Sequence, residues 1–206
     1  MDSPPPAPEP RRQALPPAAV LAAFLGAVLS GRERVVSDAP GRRAAVLLPL
    51  FDVDGHPHVL LTKRADTLPL HRGQVSLPGG RWEEDDGSLT TTALRETHEE
   101  VGIPPEAVQV VGLLDDVHTM VTGYIVTPVV GLLPERPVPD PNPEVGRVLE
   151  VPLGEILAID AVIPADAGVP ELRYPVGGED VWGATARILR GFAEVVRDAL
   201  RAGGAG

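Results

Sequence analysis

Cysteine is absent from the 206 residues. Its absence excludes disulfides and thiolate metal sites, so any metal must bind oxygen or imidazole, and the composition suits a reducing cytoplasm. Cations are scarce: 18 Lys and Arg stand against 29 Asp and Glu, a formal charge of -11. So acidic a surface does not attract nucleic acid or anionic lipid as a whole, and an anionic substrate would need a local cationic device. Long apolar runs are missing too. The stretch that imitates a signal or anchor, Ala14 to Leu29 behind Arg11 and Arg12, is interrupted by Pro16 and Pro17 and lacks a small-residue cleavage site. It also falls short of the ~20 residues a bilayer requires. Val20, Leu21, Phe24, Leu25, Val28 and Leu29 recur at helical spacing, which predicts an amphipathic helix over about 16–30 on a globular body and no membrane partner.

The length fits one domain over 16–206. Five prolines in Met1–Pro10 predict a disordered lead-in over 1–15. Arg43–Leu50 and His58–Lys63 are apolar runs separated by Asp52-Val53-Asp54-Gly55, which predicts a hairpin. Ser88–Val101 contains no Gly or Pro and stops at Gly102, with Pro104 beyond, as a helix should. Ala107–Leu114 and Tyr124–Leu133 read as strands, and Pro128 places the second at an edge or a bulge. A proline-rich loop, Pro134–Pro143, precedes a strand at Arg147–Val151, and apolar spacing predicts a last helix over about 180–202. The element order is that of an α+β domain with helices covering a mixed sheet.

Within the central helix, Glu96, Glu99 and Glu100 are three and four apart and emerge on one face. Such a face is often simply solvated. The same hard oxygen ligands also suit Mg²⁺ or Mn²⁺, which take few protein carboxylates and leave room for water and phosphate. Arg95 either orients a neighbouring carboxylate or makes a weak surface ion pair.

Gly80 through Ile103 resembles the Nudix box. Gly80 is followed at the usual interval by an acid, Asp86 in place of Glu, and then by Arg95, Glu96, Glu99, Glu100, Gly102 and Ile103. The interval from Asp86 to Arg95 is one residue longer than the general pattern. The resemblance implies an α/β/α sandwich around a mixed β-sheet, and hydrolysis of a diphosphate linkage in a small-molecule substrate. It further implies Glu96 and Glu100 as metal ligands, Glu99 as auxiliary ligand and Arg95 as an orienting residue; for the proton of the attacking water the candidates are Glu99 and Glu144. Upstream, Leu60–Ala65 and Gly73–Gly80 look like the signature of the coenzyme A diphosphatase branch, with Arg64, His71, Arg72, Gly79 and Gly80 as substrate-binding candidates. Pro69 stands where that signature usually has Arg, and Leu77 where it has Phe. Leu113–Asp116, Pro143–Val145, Tyr174-Pro175 and Asp180–Gly183 look like further landmarks of the branch. Glu144 is either an acid that aligns the water or a solvated loop residue. Trp182 is expected to be buried, and Tyr174 to pack beneath the site or meet an adenine. Two other functions compete: a Nudix hydrolase of ADP-ribose or another nucleoside diphosphate derivative, and a catalytically silent nucleotide- or protein-binding module. Monomer and homodimer are both open.

Overall fold

The computed structural model describes residues 14–67, 73–119, 122–159, 162–164 and 170–203. The proline-rich lead-in up to residue 13, Pro69, and the candidates His71 and Arg72 lie outside the described residues. In chain order the elements are α1 (Ala18–Gly31), β1 (Arg42–Val53), β2 (His56–Arg64), β3 (Val75–Ser76), β4 (Gly79–Arg81), α2 (Leu89–Val101), β5 (Gln109–Leu113), β6 (Val117–His118) and β7 (Tyr124–Leu132). There follow β8 (Val145–Pro152), α3 (Leu153–Ala158), β9 (Val162–Pro164), β10 (Pro170–Val176), β11 (Glu179–Trp182) and α4 (Gly183–Gly203).

Asp54 and Gly55 both have positive φ, 50° and 78°, as a two-residue hairpin turn requires and as Asp and Gly tolerate. They fold β2 back on β1 with Val53 opposite His56. On its other side β1 runs parallel to β7, from Arg42 beside Tyr124 to Leu50 beside Leu132. All the other pairings in the eight-stranded sheet are antiparallel, which makes it mixed.

Strand alternation divides the apolar residues between two layers. Leu48, Leu50, Val130 and Leu132 join α1 and α4 in the larger core. Their neighbours Ala45, Leu47 and Val129 meet Ala93 of α2 on the opposite face. Helices therefore cover both faces of the sheet, and α2 lies on the face away from α1 and α4. Among the described residues no helix is long and apolar enough to cross a membrane.

Two expectations are corrected. Pro128 sits in a strand flanked by β1 and β5, not at an edge. Leu114 donates to the Pro128 carbonyl, so the missing Pro128 N–H points to the same side, into the gap between β5 and β6, where no ladder bond is lost. The last helix begins at Gly183 because 179–182 instead forms β11, paired to β10 across the positive-φ turn Gly177-Gly178. Val181 is buried, which explains why its spacing blends into the helical pattern of α4.

Candidate active site

The centre of the site is α2 and the strand it faces. Ser88 caps the helix, its hydroxyl accepting from the Thr91 N–H at 3.1 Å. Gly102 closes it in the left-handed conformation, φ 72°, donating to the His98 carbonyl. The last carbonyls are covered by the proline-rich loop: Asp140 N–H donates to Val101 O, and Asn142 N–H to Glu100 O, both at 2.9 Å. The Asn142 side chain adds a bond from Nδ2 to Glu99 O at 3.0 Å and accepts from Glu144 N–H at 2.9 Å. The ends of this helix, which positions the carboxylates, are thus tied down.

Glu96 and Glu100 project from α2 against β4. A Cβ on Gly80 would lie 2.4 Å from the Glu96 carboxyl, so only glycine leaves the carboxylate its present place. Gly79 N–H donates to Glu100 Oε2 at 3.2 Å. Gly79 itself has φ 145°, and a Cβ there would meet Ala45 O at 2.4 Å. Its backbone approaches β1 too closely for any other residue. Burial raises the pKa of Glu96 and pushes Glu100 up to about 7, with the Gly79 N–H opposing and the Glu96 charge adding to the rise.

Arg95 organises the other side. Its Nε and Nη2 reach Asp86 Oδ1 and Oδ2 at 2.7 and 3.1 Å, Nη2 also donates to Arg81 O, and Nη1 meets Glu99 at 3.3 Å and Glu96 at 3.1 Å. The Asp86 side chain is 4% exposed and also accepts from Thr92 Oγ1 and Glu83 N–H. The Arg95 hydrogen bonds hold its carboxyl far below the usual carboxylate range despite burial. The longer interval from Asp86 to Arg95 is absorbed by a short 3₁₀ turn at Glu84–Asp86 and the positive-φ Gly87, so Asp86 still reaches the arginine.

Of the candidates read from sequence, Glu96, Glu99, Glu100, Arg95, Gly79 and Gly80 come together here. Glu99 is turned toward Arg95 and is largely exposed. Among the described residues no three acidic or imidazole side chains form a ready-made metal cage. Glu144 lies beside Arg64, at 3.3 Å from Nη2, while the Ala65 N–H donates to the Glu144 carbonyl. Asn142 links this pair to the end of α2, its N–H donating to Glu100 O and its Oδ1 accepting from Glu144 N–H. Lys63 is occupied by Glu179, which also pairs with Arg147. Trp182, expected to be buried, is 39% exposed at the end of the β10–β11 hairpin, whereas Tyr174 is 2% exposed and belongs to the core. Asn142 has no counterpart in the sequence reading. The only trace of its position is an Asn-Pro-Glu segment closing a proline-rich loop.

A family model described as the NUDIX domain matches residues 41–172. The chain belongs to the Nudix family. It is similar to the uncharacterized Nudix hydrolase NudL of Cronobacter sakazakii, 46% identical over 158 residues that cover 74% of this chain and 81% of the relative. NudL of Yersinia pestis is 42% identical over 164 residues, 77% of this chain and 81% of that protein. Among solved structures, a MutT/nudix family protein from Enterococcus faecalis superposes with a TM-score of 0.54 at 19% identity, covering 91% of this chain and 71% of the other. A C. elegans Ap4A hydrolase binary complex gives 0.51 at 18% identity over 76% and 98%. These structures share the fold, an α+β Nudix architecture with a mixed sheet between helices. The protein is a Nudix hydrolase, of a family whose members typically depend on a divalent cation.

Proposed function

We propose that this Nudix hydrolase cleaves the diphosphate linkage of coenzyme A or an acyl-coenzyme A, giving adenosine 3′,5′-bisphosphate and 4′-phosphopantetheine or its acyl form. The observation that carries the reaction is the Glu96 and Glu100 pair, pressed against Gly80 and Gly79 with both carboxyl groups raised by burial. Two desolvated carboxylates side by side repel, and a cation between them relieves both the repulsion and the burial cost. Their hard oxygens fit Mg²⁺ or Mn²⁺, with Glu99 as the auxiliary ligand. When bound, that cation neutralises phosphate charge and lowers the pKa of the attacking water.

The chain's own groups supply the rest. Arg95, held by Asp86, fixes the direction of Glu96 and Glu99. The water attacks one phosphorus, its proton passes to Glu99 or to Glu144, and the bridging P–O bond breaks with the other phosphate leaving. Arg64, already beside Glu144, is placed to exchange that partner for a substrate phosphate. His71 and Arg72, outside the described residues, are the remaining cationic candidates for the substrate phosphates. Support for coenzyme A comes from the Leu60–Ala65 and Gly73–Gly80 segments, which pair with each other, Thr62 beside Ser76 and Lys63 beside Val75, the second ending in the two glycines that face the carboxylate pair.

The test is product analysis of the purified protein with coenzyme A, ADP-ribose and NADH in parallel, with Mg²⁺ or Mn²⁺. Release of adenosine 3′,5′-bisphosphate from coenzyme A is expected. Turnover of ADP-ribose or NADH alone would refute the substrate, and no turnover with either metal would leave a binding module in its place.

A further inference from the structure

The loop that follows Gly80 starts with a large side chain that the carboxylate site does not use, Trp82, 42% exposed. Its direction follows from strand register. Ala45 lies opposite Gly80, Trp82 N–H donates to Arg43 O, and Leu47 N–H donates to Pro78 O. Arg43, Ala45 and Leu47 therefore share a face with Trp82, Gly80 and Pro78. That face is the one covered by α2, since Ala45 and Leu47 pack with Ala93, and it is the face on which Gly80 looks at Glu96. Two residues along an extended chain span about 7 Å, which is comparable to the reach of a ribose from its 5′ oxygen to its base.

The indole has no ring partner among the described residues. The ring contacts found there are Phe51 with His58 and Arg42 over Tyr124. The next three residues, Glu83, Glu84 and Asp85, are exposed acids, so this rim is unfavourable for the diphosphate itself and suits the uncharged ring of the substrate better. A flat, uncharged, aromatic group satisfies both conditions.

We propose that Trp82 is the stacking platform for the nucleobase of the substrate, orienting the nucleotide half so that its diphosphate falls on Glu96 and Glu100. This deepens the proposed function and rests on its placement of a nucleoside diphosphate at the carboxylate pair. Trp82 binds and orients; it takes no part in proton transfer.

The protein has two tryptophans, Trp82 and Trp182, so each can be read alone by fluorescence. The full chain and its Trp182→Phe variant, with Mg²⁺, are titrated with adenosine 3′,5′-bisphosphate, which carries base and phosphates but no diphosphate link to cleave. Ribose 5-phosphate and pantetheine are titrated alongside. Quenching by the bisphosphate alone, retained in Trp182→Phe, is expected. Trp82→Ala should weaken bisphosphate binding by about 5- to 150-fold, the range of one base–aromatic stack. Trp82→Phe should recover most of it, and in turnover the loss should appear in KM more than in kcat. Quenching that persists in Trp82→Phe but vanishes in Trp182→Phe would overturn the assignment, as would quenching by pantetheine or unchanged bisphosphate affinity in Trp82→Ala. The two readings fail separately. Coenzyme A turnover without any quenching of Trp82 sinks only the stacking role, whereas bisphosphate quenching of Trp82 without diphosphate hydrolysis sinks only the enzymatic reading.

Discussion

Glu100 offers a perturbation whose sign reverses with metal. In the metal-free protein its carboxyl is pushed from the usual 4.5 up to about 7. Its folded-state pKa therefore lies above the unfolded one, and the associated stability is fully present below 4.5 and lost as pH rises through about 7. At about 1.4 kcal/mol per tenfold, ionising it above pH 8 costs roughly 3 kcal/mol, and discounting for its partial exposure leaves about 2 kcal/mol. Glu100→Gln removes the charge while its amide oxygen can still accept from Gly79 N–H. In EDTA at pH 8 this variant should melt about 4 to 8 °C above the parent, and the advantage should shrink as pH falls toward 4.5. Millimolar Mg²⁺ or Mn²⁺ should then raise the parent's melting temperature but leave the variant's nearly unchanged, because a cation that binds only the folded state adds stability in proportion to its occupancy. The same variant should lose most of its turnover. A Gln variant no more stable than the parent at pH 8 in EDTA would show that Glu100 bears no desolvation cost, and the account of why the pair needs a cation would fall with it.

Gly80→Ala and Gly79→Ala should separate function from fold. The first pushes a methyl into the Glu96 carboxyl, a movable side-chain end, and should weaken metal-dependent turnover at least tenfold with little change in melting. The second meets the Ala45 backbone and an unfavourable φ, and should destabilise by about 1 to 3 kcal/mol in chemical denaturation. Asp86→Asn should cost about 3 kcal/mol at pH 7 by taking from Arg95 its buried anion, the one held through both Nε and Nη2, and leaving only Glu96 and Glu99 at Nη1. Because the parent Asp86 has a lowered pKa, its contribution is present above about pH 4 and lost below it, so the two proteins' stabilities should converge in acid titrations; a constant gap would contradict this. Asn142→Ala should lower kcat with little effect on KM, since it unties Glu144 from the end of α2. An unchanged kcat would remove Asn142 from the positioning of that loop.

Local patterns carried far. Asp54-Gly55 marks a hairpin because few residues accept positive φ in succession, and the turn stands where the sequence puts it. Ser88 and Gly102 bound α2 for equally local reasons, a side-chain cap and a left-handed stop. The spacing of Glu96, Glu99 and Glu100 places them on one side of that helix whatever it packs against. Trp182 shows where this ends: apolar character alone suggested burial, yet the residue closes a hairpin and remains exposed. Pro128 shows the same limit, since whether a missing N–H matters depends on a neighbouring strand that ends at Leu113.

The sequence by itself determined the family, the helix that bears the carboxylates and the glycines that face it, because these depend on backbone conformation and on residues a few positions apart. Tertiary structure alone decided which carboxylates are desolvated. Glu96 and Glu100 are pressed against β4 while Glu99 turns out to Arg95, a division set by a strand some twenty residues away. It also brought Asn142 under the end of α2 and Glu144 beside Arg64. Those contacts join residues about 40 and 80 positions apart, and their energies come from burial and chain packing, which no local pattern encodes.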